Sequence, residues 1–220
     1  MEFIAQNVVV TANQFNPSIF TQPWLSRNGV ILDDEVLPNA VFQTEFCQVV
    51  ATHFTLLVLP TALQIHLQTD VADSGVLVRD RVSRVVRVLP QTPYVAIGLN
   101  FIWNAASENE TIEQLSRRLF FLDHPPFNHF NVDNAKFGSY MSRNFADSVR
   151  LKLDIKPVVS KEDNQVHRLQ FTFNFHRDIS GDHPVQDIEE LLNLWERAKD
   201  ASRTIVAESI RGAGCHDNGN

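Results

Sequence analysis

The residues best suited to chemistry lie between positions 123 and 183: Asp123-His124, His129, His176-Arg177-Asp178 and Asp182-His183. Imidazole and carboxylate groups suit zinc or iron. No His-x-x-x-His, Cys-x-x-Cys or His-x-His pair, however, offers two ligands from one rigid element. His124 and His183 each precede a proline, at the expected end of one helix and start of another, so they read as solvated loop residues. No metal ligand and no cofactor is assigned. His176-Arg177-Asp178 matches the opening of the protein-kinase catalytic loop, in which the aspartate takes a hydroxyl proton and an asparagine five residues later holds magnesium. Here position 183 is histidine, no Gly-x-Gly-x-x-Gly loop precedes and no Asp-Phe-Gly follows, which excludes that reading. Cys47 sits in an apolar run and reads as an inert buried thiol. Without a Gly-x-Ser-x-Gly elbow or a Walker loop, no catalytic residue is assigned.

Two groups remain as binding candidates. The first is for interaction with a partner. Phe15, Phe20 and Trp24 fall in a proline-punctuated segment, 13–40, that is too aromatic to be a disordered linker; it is expected to wrap over the core, turning at Asn28-Gly29 and leaving some aromatics exposed as an interface. Arg79, Arg84 and Arg87 belong to a helix that also carries Arg81. The plain reading of these arginines is a solvated face paired with Asp80 and nearby acids; the sharper one is a patch for an acidic surface or a nucleic acid. With 19 Lys+Arg against 26 Asp+Glu the net charge is −7, which argues against non-specific nucleic-acid binding. The second group, Tyr94, Asn100, Trp103, His124 and His176, would line a ligand pocket between sheet and helices. Asn100 beside Gly98 would reach a ligand that approaches the backbone.

The elements that must position these residues follow from periodicity. Ala5–Ala12 reads as a strand whose consecutive valines are buried on both faces. Val41–Thr69 is β-rich, with Leu63, Ile65 and Leu67 alternating with Gln64, His66 and Gln68. Asp73 or Ser74 starts a helix to Leu89 with Val78, Val82, Val85 and Val86 on one face. Tyr94–Trp103 is a strand and Glu110–Phe121 a second helix. Val149–Ile155 and Leu169–Phe175 form a hairpin around a polar turn at 161–164. Pro184 opens one long helix to Ile210. The pattern of strands then helix occurs at 41–89 and again at 149–210, as a structural echo without residue-level similarity. The expected fold is α+β: antiparallel β-structure with helices on one face and a long C-terminal helix. The expected organisation is a single domain over 1–211, with a division at 122/123 as the alternative, and a disordered tail over 212–220.

The chain of 220 residues is long enough to bury a core without disulfides or metal, and its two cysteines are too few for a disulfide framework. No run reaches the length of a membrane span, and no basic region precedes an apolar stretch as in a signal peptide. A cytoplasmic location without a membrane partner is the expectation.

Asn16-Pro17-Ser18-Ile19-Phe20, the strand around Leu63-Gln64-Ile65 and Tyr94-Val95-Ala96-Ile97-Gly98-Leu99-Asn100-Phe101 carry a resemblance. They are similar to segments of a group of uncharacterised bacterial α+β proteins with an Asn-Pro-Ser/Thr-Ile-Leu motif and a Tyr-x-Ala-x-Gly-x-Asn-Phe strand. The likeness covers residues 1–105, with Phe20 in place of the leucine. It implies a bacterial accessory protein and brings no activity with it. The leading expectation is a non-catalytic interaction subunit or adaptor of a bacterial complex, in a setting such as antiphage defence or a toxin–antitoxin pair, with a protein partner or a second copy. The alternatives are an enzyme or small-ligand binder using the pocket residues, and nucleic-acid binding through Arg79–Arg87.

Overall fold

Leu63, Ile65 and Leu67 do share one buried side of a strand, and the same period-2 rule sorts residues across the sheet. The computed structural model describes residues 1–159 and 167–211; the expected 161–164 turn, the expected disordered tail and Cys215 lie outside them. In chain order, β1 (Glu2–Ala12) leads through a 3-10 turn (Pro17–Ile19) to α1 (Gln22–Arg27). Then come β2 (Val41–Phe42), β3 (Cys47–Val50), β4 (Phe54–Leu59), β5 (Ala62–Leu67) and α2 (Ser74–Val88). The second part runs β6 (Tyr94–Ala105), α3 (Ile112–Phe120), α4 (Pro125–Asn128), β7 (Ser139–Ala146), β8 (Val149–Val159), β9 (His167–Asp178), α5 (Pro184–Leu192) and α6 (Trp195–Arg211). All described strands form one antiparallel sheet in the order β2-β3-β4-β5-β1-β6-β9-β8-β7. The fold is α+β with helices against one face of that sheet.

The echo between the halves is larger than periodicity suggests. Each part is a long strand, a helical insertion, an antiparallel meander and a closing helical segment, and the leading strands β1 and β6 pair at the centre of the sheet. The units therefore divide between α2 and β6, earlier than residue 122. Their buried apolar residues still form one continuous cluster.

That cluster lies between sheet and helices. Val8 and Val10 of β1, Leu99 and Phe101 of β6, and Phe171, Phe173 and Phe175 of β9 are fully covered. Leu99 stands opposite Phe175, Phe101 opposite Phe173 and Trp103 opposite Phe171. Trp195 from α6 meets the Phe101 ring edge-on at 4.9 Å. Two buried indoles are satisfied: Trp103 Nε1 donates to Ser202 Oγ at 2.9 Å and Trp195 Nε1 to Ser74 Oγ at 3.1 Å, as buried aromatic N–H groups require. Val9, between the two buried valines, is only half-buried on the opposite face, so the valine triplet is not covered on both sides.

Two expected elements differ. The chain does end in a long helix, α6, but the part expected to begin it at Pro184 is a separate helix, α5, the two being broken at Asn193-Leu194. Asn193 is a weak helix former, and the break lets Leu191 and Leu192 of α5 and Trp195 of α6 all reach the core. At the start of α2, Asp73 has φ 52° and makes no side-chain cap. Glu196 Oε1 of α6 instead accepts from the Gly75 N–H at 3.0 Å, placing a carboxylate where the helix dipole favours one. A Cβ at Gly75 would come within 2.6 Å of that oxygen, so the approach requires glycine.

The segment 13–40 wraps over the first half of the sheet and is held there by Arg81. Its guanidinium pairs with Glu35 at 3.2 Å and donates to the Gly29 carbonyl at 2.9 Å; both charged side chains are largely covered. Gly29 turns the chain with φ 65°, a conformation that suits glycine. Truncating one member of a buried pair strands the other. Arg81→Ala should therefore cost about 3–5 kcal/mol, or roughly 6–20 °C in melting temperature for a chain of this size. Arg84→Ala, which removes only an exposed pair on the same helix, should leave the calorimetric melting temperature nearly unchanged.

Candidate functional site

The arginines of α2 divide by face. Arg81 turns inward, while the exposed Arg79 and Arg87 flank the buried Ser83 at four-residue spacing, beside a ridge of Val76, Asp80 and Arg84. These residues, with Glu189 of α5 and Asn193 beyond its end, line one groove of about 430 Å³. Arg84 Nε donates to both oxygens of Asp80 at 2.9 Å. Arg87 Nε donates to Glu189 Oε1 at 2.6 Å. These hydrogen bonds push both guanidinium pKa values further up. Arg79 differs from them: Nη1 donates to the neutral Asn193 amide oxygen at 3.3 Å, and no carboxylate pairs with it among the described residues. Three guanidinium groups against two carboxylates give the groove a net +1 on a chain of −7.

The other interaction candidates stand differently. Phe15 and Phe20 are 3% and 1% exposed; they are core residues, with Phe15 edge-on to Tyr94 and Phe20 against Trp24. Trp24 is half-buried against the same core. Phe15 and Phe20 thus line the core of this domain and are not free to dock a partner, whereas Ile19, Leu32 and Leu37 of the same segment stay exposed.

The pocket candidates are not brought together. Trp103 faces the helices and is satisfied by Ser202. Tyr94 closes one end of β6, its hydroxyl donating to the Leu89 carbonyl at 3.0 Å; burial pushes its pKa up to about 12. His124 lies before α4, its ring 5.1 Å from that of Phe127. Asn100 and His176 lie on the opposite, open face of the sheet. The five residues therefore do not line one pocket between sheet and helices, which corrects that grouping; the cleft of about 550 Å³ where the ends of β4 and β5 meet α2 is lined by other residues, among them His53, Gln68, Asp73 and Leu77. The His176-Arg177-Asp178 triplet is strand, so its members alternate. His176 Nε2 meets Asp178 Oδ1 at 2.8 Å on the open face, a contact that lowers the Asp178 pKa. Arg177 turns inward and joins β9 to Glu190 of α5 at 2.8 Å. Cys47 is fully buried, its thiol pushed up to about 12. Among the described residues no three His, Cys, Asp or Glu side chains are arranged to hold a metal ion, and no helix is long and apolar enough to cross a membrane.

A feature that periodicity alone did not single out crosses the open face. Asn174 Nδ2 donates to Asn100 Oδ1 and Asn100 Nδ2 to Asn7 Oδ1, both at 2.7 Å. Asn7 Nδ2 continues to His66 Nδ1 at 3.3 Å, and His66 Nε2 meets Gln64 Oε1 at 3.0 Å. An amide nitrogen only donates and an amide oxygen only accepts, so the row requires neutral His66 with its proton on Nε2. The signal was available in principle: residues 7, 100 and 174 are asparagines at wet positions of separate strands. Their shared row depends on register, which the sequence does not reveal.

The chain matches no protein-family model, no curated protein and no solved structure.

Although part of the His66 ring meets solvent, neighbouring side chains remove enough water to hold its pKa below the ordinary 6.5. The folded state then binds this proton less readily than the unfolded chain. Its contribution should be complete above pH 6.5 and decline as pH falls below that value. Denaturant melts between about pH 7.5 and about pH 5.5 should show a steeper loss of stability in the wild type than in His66→Gln.

Proposed function

We propose that this protein is a non-catalytic interaction subunit or adaptor of a bacterial complex, with antiphage defence or a toxin–antitoxin system as its setting, and that it takes an acidic segment of a protein partner in the α2–α5 groove. The observation that carries the reading is Arg79: a guanidinium at a groove whose other two arginines already hold carboxylates, and which itself holds only a neutral amide. A partner carboxylate would displace Asn193 and form a charge-assisted pair, a contact worth more than a neutral hydrogen bond. Bidentate carboxylate recognition suits guanidinium in a way lysine does not match.

The pocket-enzyme alternative loses its support, because the residues meant to line that pocket are divided between two sides of the sheet. Nucleic-acid binding through the same helix is disfavoured by charge. A phosphate backbone needs several uncompensated cations along its track, whereas Asp80 and Glu189 occupy two of the three arginines.

The test is a tagged capture from the native host, read by native mass spectrometry at low and moderate salt. The expected result is one stoichiometric acidic protein whose affinity falls by about tenfold or more in Arg79→Ala, the loss expected when one charge-assisted pair is removed. A lone chain, a bound nucleic acid, or a partner retained equally by Arg79→Glu would overturn the reading.

A further inference from the structure

The two edges of the sheet are unlike. β2 at one edge has two residues, whereas β7 at the other has eight. One side of β7 pairs with β8 from Ser139 opposite Ile155 to Ala146 opposite Val149; its other side has no strand beside it among the described residues. Proteins commonly blunt such an edge with lysine, proline, a bulge or short length. Ser139–Ala146 contains no lysine or proline, its register shift falls only between Asn144 and Ala146, and residues 140–144 are all exposed.

The surroundings are apolar. Tyr140 is 65% and Phe130 62% exposed, with Leu122, Val132 and Met141 also open to solvent. Where β7 begins, Pro126, Phe127, Phe130, Lys136, Phe137 and Gly138 line a hollow of about 290 Å³. A Cβ at Gly138 would come 2.4 Å from the Ile155 carbonyl. The chain therefore needs glycine there to pass close to β8, and this sets the hollow at the start of the free edge. Arg143 lies midway along β7 with no ion-pair partner among the described residues.

We propose that β7 is a strand-addition site for an extended, acidic segment of another protein, pairing antiparallel with Tyr140–Asn144. Antiparallel pairing forms the straighter hydrogen bonds and places the C-terminal end of the added strand beside Ser139. An aromatic or branched apolar side chain at that end enters the hollow, and an acidic residue opposite Arg143 supplies the missing partner. Charge selects another protein over a second copy. The β7–β8 hairpin, 139–159, carries Arg143, Arg150, Lys152 and Lys156 against Asp147 and Asp154, which is +4 − 2 = +2. A two-fold contact would set this patch against itself. This inference deepens the interaction-subunit reading with a second surface, remote in sequence from the arginine groove and testable without it.

The experiment selects random peptides displayed on phage against the full chain, then measures synthetic copies of the selected peptides by calorimetry and amide hydrogen exchange. The expected peptides alternate β-branched and other residues, carry Asp or Glu, and end toward the C-terminus in an aromatic residue or leucine. They should protect amides within Tyr140–Asn144 and lose about tenfold in affinity to Arg143→Glu and to Phe130→Ser, each changing one contact. Both substitutions alter exposed side chains, and circular dichroism confirms folding. Arg79→Glu should bind these peptides as the wild type does, which separates this surface from the groove. No selected peptide, peptides indifferent to both edge variants, or protection of Tyr140–Asn144 by self-association of the chain would each overturn the proposal.

Discussion

Pairing of β1 with β6 is the constraint on which the rest of the molecule depends. Val8 opposite Leu99 and Val10 opposite Ile97 join two half-sheets that would otherwise each end in an unpaired strand. The seam also sets the helices. With the halves in register, α2 from the first lies against α5 from the second, and Glu196 of α6 reaches the start of α2. A register shift between Phe3 and Ala5 adjusts the end of the seam. It turns Phe3 toward the helices, where its ring lies 4.3 Å from that of Trp103, with Lys199 5.0 Å from its centre. The arginine groove is therefore a product of the seam: one wall comes from each half.

Arginine does two different jobs here. Arg81 and Arg177 are largely covered and each carries several polar contacts, Arg81 to a segment far earlier in the chain and Arg177 from β9 to the helix that follows it. Such residues hold segments in place because an uncompensated buried charge is costly. Arg84 and Arg87 are exposed and paired, arrangements that add little stability. Arg79 remains with a neutral partner. Its availability follows from the others being engaged, since Asp80 and Glu189 are already committed to their own guanidinium groups.

Much of the fold was legible because alternation survives wherever one side of a strand is covered. Leu63-Ile65-Leu67, Val149–Ile155 and Leu169–Phe175 are buried at every second residue, and the valine stripe of α2 reaches the core. The break at Asn193 was hidden because an apolar stripe can continue across a bend. The site was less legible. Period-2 geometry sends Trp103 and Asn100 to opposite faces of the same strand, so grouping them in one pocket failed on parity. The wrap of segment 13–40 was legible from its aromatic content, but which of those side chains stay exposed was not, because Phe15 is covered by Tyr94, far along the chain. The inward turn of Arg81, beside outward-facing arginines, depends on Glu35, 46 residues earlier.

The central claim is that the β1–β6 seam makes one cooperative unit of two topologically similar halves. Native-state hydrogen exchange resolved by residue, with calorimetry on the same sample, tests it directly. Amides of Val8, Val10, Ile97 and Leu99 are expected to exchange only through global unfolding, and heat absorption to show one transition, with calorimetric and van't Hoff enthalpies in agreement. Early exchange along β1 and β6 while α2 and β9 stay protected, or two separable transitions, would contradict it.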